Sequence, residues 1–331
     1  MSRLGVWDFS NRLSVFQATI VVAFTAVCFG TVPLFAKILL DQGIASPAIA
    51  FYRYALTTLL FIHILPLRGP LARETLWALF SGGCVGLGWI SYVEALKVVP
   101  ISSVSVIYMT YPLFTLLASW VLIRNKPGHR SLIAGFLVLV AAVLAFLPSG
   151  LSDTAIDALL VAFCAPLTFG LSIAILTDKL ENLAPLQRMV GFASGASIGL
   201  IPLLVPLEMH QLFPSRIEDW GYIAMLALLT AFIPQFLYSM LAPSIGPAKS
   251  AMAGSVELPT MFVIGALVFS EQITVLHIIA AILVLAAILI TPAISSHRRM
   301  ADFDDAPDYS VIADNNFPEP IEKPENLENP D

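Results

Sequence analysis

The chain has 331 residues, 58% of them hydrophobic and only 12% charged, and its mean hydropathy is +0.85. Soluble domains are roughly a quarter charged, so this composition excludes a soluble globular protein and indicates a chain whose solvent is mostly lipid. The net charge of −6 is local: residues 301–331 hold ten Asp/Glu and one Lys, a balance of −9, which leaves the remainder at +3.

Crossing a bilayer core as a helix takes about 20 apolar residues. After a short segment, 1–16, ten such stretches follow, at roughly 17–40, 47–67, 75–96, 102–123, 130–148, 155–176, 185–206, 220–241, 248–269 and 273–294. Lipid cannot satisfy open backbone groups, and the stretches are too long and evenly apolar for barrel strands. The expected fold class is therefore an all-α polytopic membrane protein with ten transmembrane helices. The first stretch ends in the bulky Leu39-Leu40-Asp41 and is kept as a span, not a cleaved signal. Residues 295–331 form an acidic, Pro-rich cytoplasmic tail that is expected to be disordered.

Lysine and arginine set the orientation. With the N-terminus in the cytoplasm, eleven basic residues lie inside (Arg3, Arg12, Arg68, Arg73, Arg124, Lys126, Arg130, Lys179, Lys249, Arg298 and Arg299) against Lys97 and Arg216 outside. Both termini are expected on the cytoplasmic face of a plasma membrane, a bacterial inner membrane in the first instance. Cys28, Cys84 and Cys164 each fall within a span and read as small apolar residues. No metal site, cofactor or nucleic-acid partner is expected.

The ten spans repeat as two sets of five. Residues 92–123 lie over 238–269 with a constant shift of 146, which sets Tyr92 on Tyr238 and Pro112 beside Pro259. Earlier, VAFTAVCFG at 22–30 matches AFCAPLTFG at 162–170, and span two, opening Ser46-Pro47, resembles span seven, opening Ala184-Pro185. The repeats are bounded at 17–148 and 154–294. Five is odd, so the second copy enters the membrane from the opposite side. Inverted repeats are the pattern of carriers that alternate between inward- and outward-open states.

The two copies resemble EamA-type domains of the drug/metabolite transporter superfamily. The resemblance rests on ALKVVPISSVSVIYMTYPLFTLLASWVLIRNKP in the first copy and MLAPSIGPAKSAMAGSVELPTMFVIGALVFSEQIT in the second. It covers about 17–294. The family's Glu-Pro pair in span nine is split here as Glu257-Leu258-Pro259, its usual Gly-Glu is Ser270-Glu271, and the matching Glu of the first half is Asn125. The resemblance implies a secondary carrier, with export of amino acids or related metabolites as its default.

Ionisable groups inside spans cost about 2.5–3.5 kcal/mol on insertion scales and default to functional candidates. Lys37 is close enough to the outer interface to snorkel, and Glu94 to pair with Lys97 or Arg53. Arg53 lies deeper and is a substrate-contact candidate. Glu257 sits at the middle of span nine, opposite Tyr111 of the first copy, beside a proline in each case. Pro112 and Pro259 each remove an amide donor and are the hinge candidates. Trp89 and Tyr92, Gln235 and Tyr238, and Tyr108 and Tyr111 are three apart in pairs, each pair on one helix face. They form an aromatic lining suited to a small organic solute through area burial and cation–π attraction. For Glu257 three readings stay open: a neutral carboxyl bonded to a neighbouring helix, a proton carrier, or an anion for a cationic or amine-bearing solute.

No HExxH, GxSxG or Gly-rich phosphate loop occurs, so an enzyme is not expected and a gradient, with protons as the candidate coupling ion, supplies the energy. The other readings are uptake or exchange of an amine or other polar metabolite, and a receptor or scaffold working through the acidic tail. Monomer and homodimer are equally compatible with the sequence. Deleting 301–331 separates the scaffold from the carrier: solute flux in proteoliposomes is expected to persist at the full-length rate.

Overall fold

The computed structural model describes residues 13–123, 128–146, 153–245, 253–254 and 256–290, and no strand occurs among them. Helix α1 (Val15–Gly30) starts at a capping box, in which Ser14 Oγ accepts from the Gln17 amide (3.2 Å) and Gln17 Oε1 accepts from the Ser14 amide (2.9 Å). Thr31 interrupts the chain ahead of Pro33, whose missing amide favours a fresh helix start at α2 (Val32–Asp41). Helix α3 (Ser46–Phe61) and helix α10 (Pro185–Leu204) start alike, each with an extended alanine cap followed by proline in the first turn.

Helix α4 (Ala72–Ala95) is unbroken over 24 residues. Span four is split at Met109–Thr110 into α5 (Ile101–Tyr108) and α6 (Tyr111–Ile123). Helix α7 (His129–Phe146) closes the first half. The second half runs α8 (Asp153–Ala162), α9 (Cys164–Lys179), α10, the short α11 (Met209–Leu212), α12 (Ile217–Ala227), a π-turn at Leu228–Phe232, α13 (Ile233–Ile245), α14 (Glu257–Val268) and α15 (Val275–Ile290).

Among the described residues, six helical stretches are long and apolar enough to cross a membrane: Val15–Asp41, Ser46–Ile64, Ala72–Ala95, Ile101–Leu122, Asp153–Leu176 and Ile217–Tyr238. Three shorter apolar helices, His129–Leu144, Glu257–Val268 and Val275–Ile290, lie on three of the other expected spans. The last expected span is the 20-residue α10, which Gln187, Arg188, Ser194 and Ser197 make less apolar. Six of the ten expected spans thus fall on helices that meet this measure. Span nine departs most, because the chain turns at Val256 and α14 begins only at Glu257. Residues 1–12 of the expected cytoplasmic segment 1–16, the tail 295–331 and Asn125 lie outside the described residues.

The two halves interleave within one contact unit. Helix α4 packs on α9 and α10, α3 on α10 and α12, α6 on α9, and α1 on α13 and α14; α5 meets α14, and α7 meets α15. Exchanging the halves turns α4·α9 into α13·α1, α6·α9 into α14·α1 and α4·α10 into α12·α3. The pairs α3·α10 and α7·α15 map onto themselves. Exchanged pairs of this kind are what a two-fold relation between the repeats produces.

Glycine makes the central crossing possible. A Cβ on Gly82 would overlap the Phe192 carbonyl, and one on Gly195 would overlap the Leu79 carbonyl, so α4 and α10 meet backbone to backbone. The repeat-related pair Gly30 and Gly170 does the same for the broken spans. A Cβ on Gly30 would lie 2.7 Å from Thr260 and 2.9 Å from the Glu257 carbonyl, and one on Gly170 would lie 2.6 Å from the Thr115 amide. Gly82→Ala is expected to cost about 1–3 kcal/mol through overpacking. Its thermal unfolding midpoint in detergent falls, whereas that of Gly221→Ala, whose Cβ meets nothing within 4 Å, does not.

Candidate functional site

Arg53, Trp89, Tyr92, Tyr108 and Tyr111 of the first half gather in one interior cluster within electrostatic reach of Glu257. Tyr111 opens α6 and Glu257 opens α14, at positions related by the repeat shift of 146. Glu257 is thus the first residue of a helix, not an interruption midway along one. Its carboxylate lies at the end where the helix dipole favours negative charge. Pro112 and Pro259 fall at the second and third positions of these helices, where a missing amide costs nothing. Neither proline faces the interior cluster: Pro112 borders a small void with Gly135, Val138 and Ala287 of α7 and α15, and Pro259 is exposed.

The aromatic set is continuous. Ring centroids of Trp89 and Tyr92 are 4.8 Å apart, of Tyr92 and Tyr108 5.6 Å, of Trp89 and Tyr108 6.0 Å, and of Tyr108 and Tyr111 5.9 Å. Tilted and edge-on arrangements at these distances add to the area that the rings bury. Phe169 of α9 completes the cluster, 5.7 Å from Tyr108 and 5.1 Å from Tyr111. The sequence reading passed over it, although it ends the repeated segment AFCAPLTFG.

Trp89, Tyr92 and Tyr108 are buried, while Tyr111, Gln235, Tyr238 and Glu257 keep part of their surface accessible. Glu257 is within electrostatic reach of Arg53 and of Tyr92, Tyr108, Tyr111 and Tyr238. It makes no hydrogen bond or ion pair among the described residues. Gln235 makes none either, and Tyr238 packs against α1 beside Ala18 and Val22.

Arg53 is 7% exposed, with its guanidinium carbon 3.9 Å from the Trp89 ring centroid and 5.3 Å from that of Tyr54. Its position follows from a proline that the sequence reading did not use. Pro234 lacks the amide that a regular helix would bring to the Thr230 carbonyl four residues earlier, and the chain widens into the π-turn. Arg53 Nη2 donates to that carbonyl at 3.1 Å. Arg53 Nε and Nη1 are buried with no partner.

The remaining span acids are paired with other groups. Lys97 Nζ donates to both Glu94 oxygens, at 2.7 and 2.8 Å. Glu271 accepts from the amides of Ile101 (2.7 Å) and Ser102 (3.1 Å), capping α5 from the other half, and pairs with Lys37 at 3.6 Å. Lys37 also lies 4.8 Å from the Phe269 ring centroid. At the opposite ends of the helices, Glu74 accepts from the Asn182 (3.0 Å) and Leu183 (3.2 Å) amides.

The family profile described as the EamA-like transporter family matches the chain twice, at residues 17–147 and 157–292. The chain belongs to that family and is an integral membrane transporter of small molecules; the family is one of transporters, not of enzymes. A solved structure described only as "Crystal structure of protein" superposes with a TM-score of 0.55 at 14% identity, over 83% of this chain and 96% of that one. At that identity the likeness shows the fold alone. No curated protein matches the sequence.

Removing the Glu271 carboxylate strands two amides. Glu271→Ala is expected to cost about 1–3 kcal/mol, against less than about 1 kcal/mol for Lys37→Ala. Paired unfolding midpoints of the two variants in one detergent check the order.

Proposed function

We propose that the chain is a secondary active transporter that exports amino acids or related small metabolites by alternating access. In this reading ten spans form two inverted repeats, 17–148 and 154–294, in a plasma membrane of bacterial inner-membrane type, with both termini cytoplasmic. The observation that carries it is the placement of Tyr111 and Glu257. Each opens a discontinuous helix at equivalent points of the two repeats, and both retain accessible surface inside the interleaved bundle. Carriers built from inverted repeats hold their solute at such breaks. A cavity of about 400 Å³ lined by Lys37, Asp41, Lys97 and Glu271 supplies a vestibule at what this orientation makes the outer end.

Protons are the coupling ion, and Glu257 is the group that exchanges them. The carboxylate holds the solute in one half-cycle and a proton in the other, so inward proton flow drives outward solute flow. The sign is fixed: protonation removes the negative charge, so solute binding falls as pH drops. Arg53 and Tyr92, Tyr108, Tyr111 and Tyr238 face the group.

The test is solute flux from proteoliposomes loaded with a mixture of amino acids and amines, with and without an imposed pH gradient. Wild type is expected to accelerate under the gradient. Glu257→Gln is expected to lose the acceleration and to retain solute-for-solute exchange only at raised solute concentration. Equal gradient dependence in both would remove the proton role, and flux confined to solutes without an amino group would remove the export reading.

A further inference from the structure

We infer that the interior cluster around Arg53 and Glu257 reads its solute by two opposite poles, Arg53 taking an anionic group and Glu257 a cationic one, so that the solute is a zwitterion with an apolar body between them. This rests on that cluster being the transport site.

The Arg53 guanidinium is more than nine-tenths buried and has its position fixed. One face lies over Trp89, and Nη2 is committed to the carbonyl that Pro234 leaves without an amide. What remains is Nε and Nη1, which carry three of the five guanidinium N–H donors and have no acceptor. A buried cation in that state is costly, and the group that relieves it is an anion offering oxygen acceptors, such as a carboxylate.

Glu257 is the complementary group. It lies within electrostatic reach of Arg53, yet no ion pair joins the two. Had they served only to neutralise each other, contact would be the stable arrangement, because attraction between buried charges grows steeply as they close. Held apart, each is matched only by a solute that carries both signs. A purely anionic solute would satisfy Arg53 and be repelled by Glu257, and a simple amine would do the reverse. The rings of Trp89, Tyr92, Tyr108, Tyr111 and Phe169 present apolar faces for the solute's body.

The experiment uses the purified full chain in nanodiscs at one fixed pH, with binding read from tryptophan fluorescence and checked by calorimetry. The probes are leucine, phenylalanine and glutamine, each as the free zwitterion, the N-acetyl anion and the methyl ester cation. Wild type is expected to bind at least one zwitterion about tenfold or more tightly than both of its blocked forms. Glu257→Gln should lose about tenfold for that zwitterion and keep or gain affinity for the N-acetyl form. Arg53→Gln should lose the zwitterion and keep the ester. If Arg53→Gln does not fold, as judged by its elution profile and unfolding midpoint, the Glu257→Gln arm decides alone.

Three results overturn the assignment: a blocked form that binds wild type as tightly as its zwitterion, a Glu257→Gln variant that loses all forms equally, or binding of no zwitterion at all. Gradient-driven flux of a singly charged solute would overturn the two poles and leave the carrier intact. Absence of flux for every solute would instead remove the carrier reading.

Discussion

A membrane interior has no water to bond a freed backbone group, so each break in a spanning helix must be enclosed by the rest of the protein. This chain has several: at Thr31, at Met109–Thr110, at Phe163, along Leu228–Phe232 and at Val256. Much of the architecture follows from covering them. The Thr230 carbonyl is met by Arg53 from another helix, and that bond holds a guanidinium out of water against Trp89. The starts of α6 and α14 are pressed against Gly170 and Gly30, which leave no room for a side chain. The same discontinuities that demand protection from lipid bring polar groups into the interior.

Enclosure of this kind needs both halves. Helix α4 meets α9 and α10, and α1 meets α13 and α14, so neither repeat could bury its own breaks alone. Backbone-to-backbone contact at Gly82 and Gly195 brings the halves close enough for cross-half hydrogen bonds at both ends of the bundle. Glu271 reaches the amides that open α5, and Glu74 reaches those of Asn182 and Leu183. The two carboxylates grip opposite ends of the helices.

The all-helical class, the two-copy organisation and most members of the interior aromatic cluster were legible in the chain itself. Apolar length and the constant shift of 146 carry that information, because each is a statement about local periodicity. Helix ends were less legible. Glu257 reads as mid-span in the sequence, yet the turn at Val256 makes it a helix start. The prolines mark the breaks but do not face the interior cluster, since proline acts by what its own amide lacks rather than by where its ring points. Pro234 went unread for a related reason: its effect appears only when another helix supplies the donor.

What the sequence by itself determined is a polytopic helical membrane protein made of two repeated copies, with aromatics and prolines at matching positions. Composition and repetition are sufficient for that, because lipid leaves so few backbone solutions. Only the tertiary structure decided the pairings. Lys37 went to Glu271, Lys97 to Glu94, and Arg53 to a carbonyl 177 residues away, while no ion pair joined Arg53 to Glu257. Partners across long separations are set by which helix faces meet, and no local pattern in the chain records that.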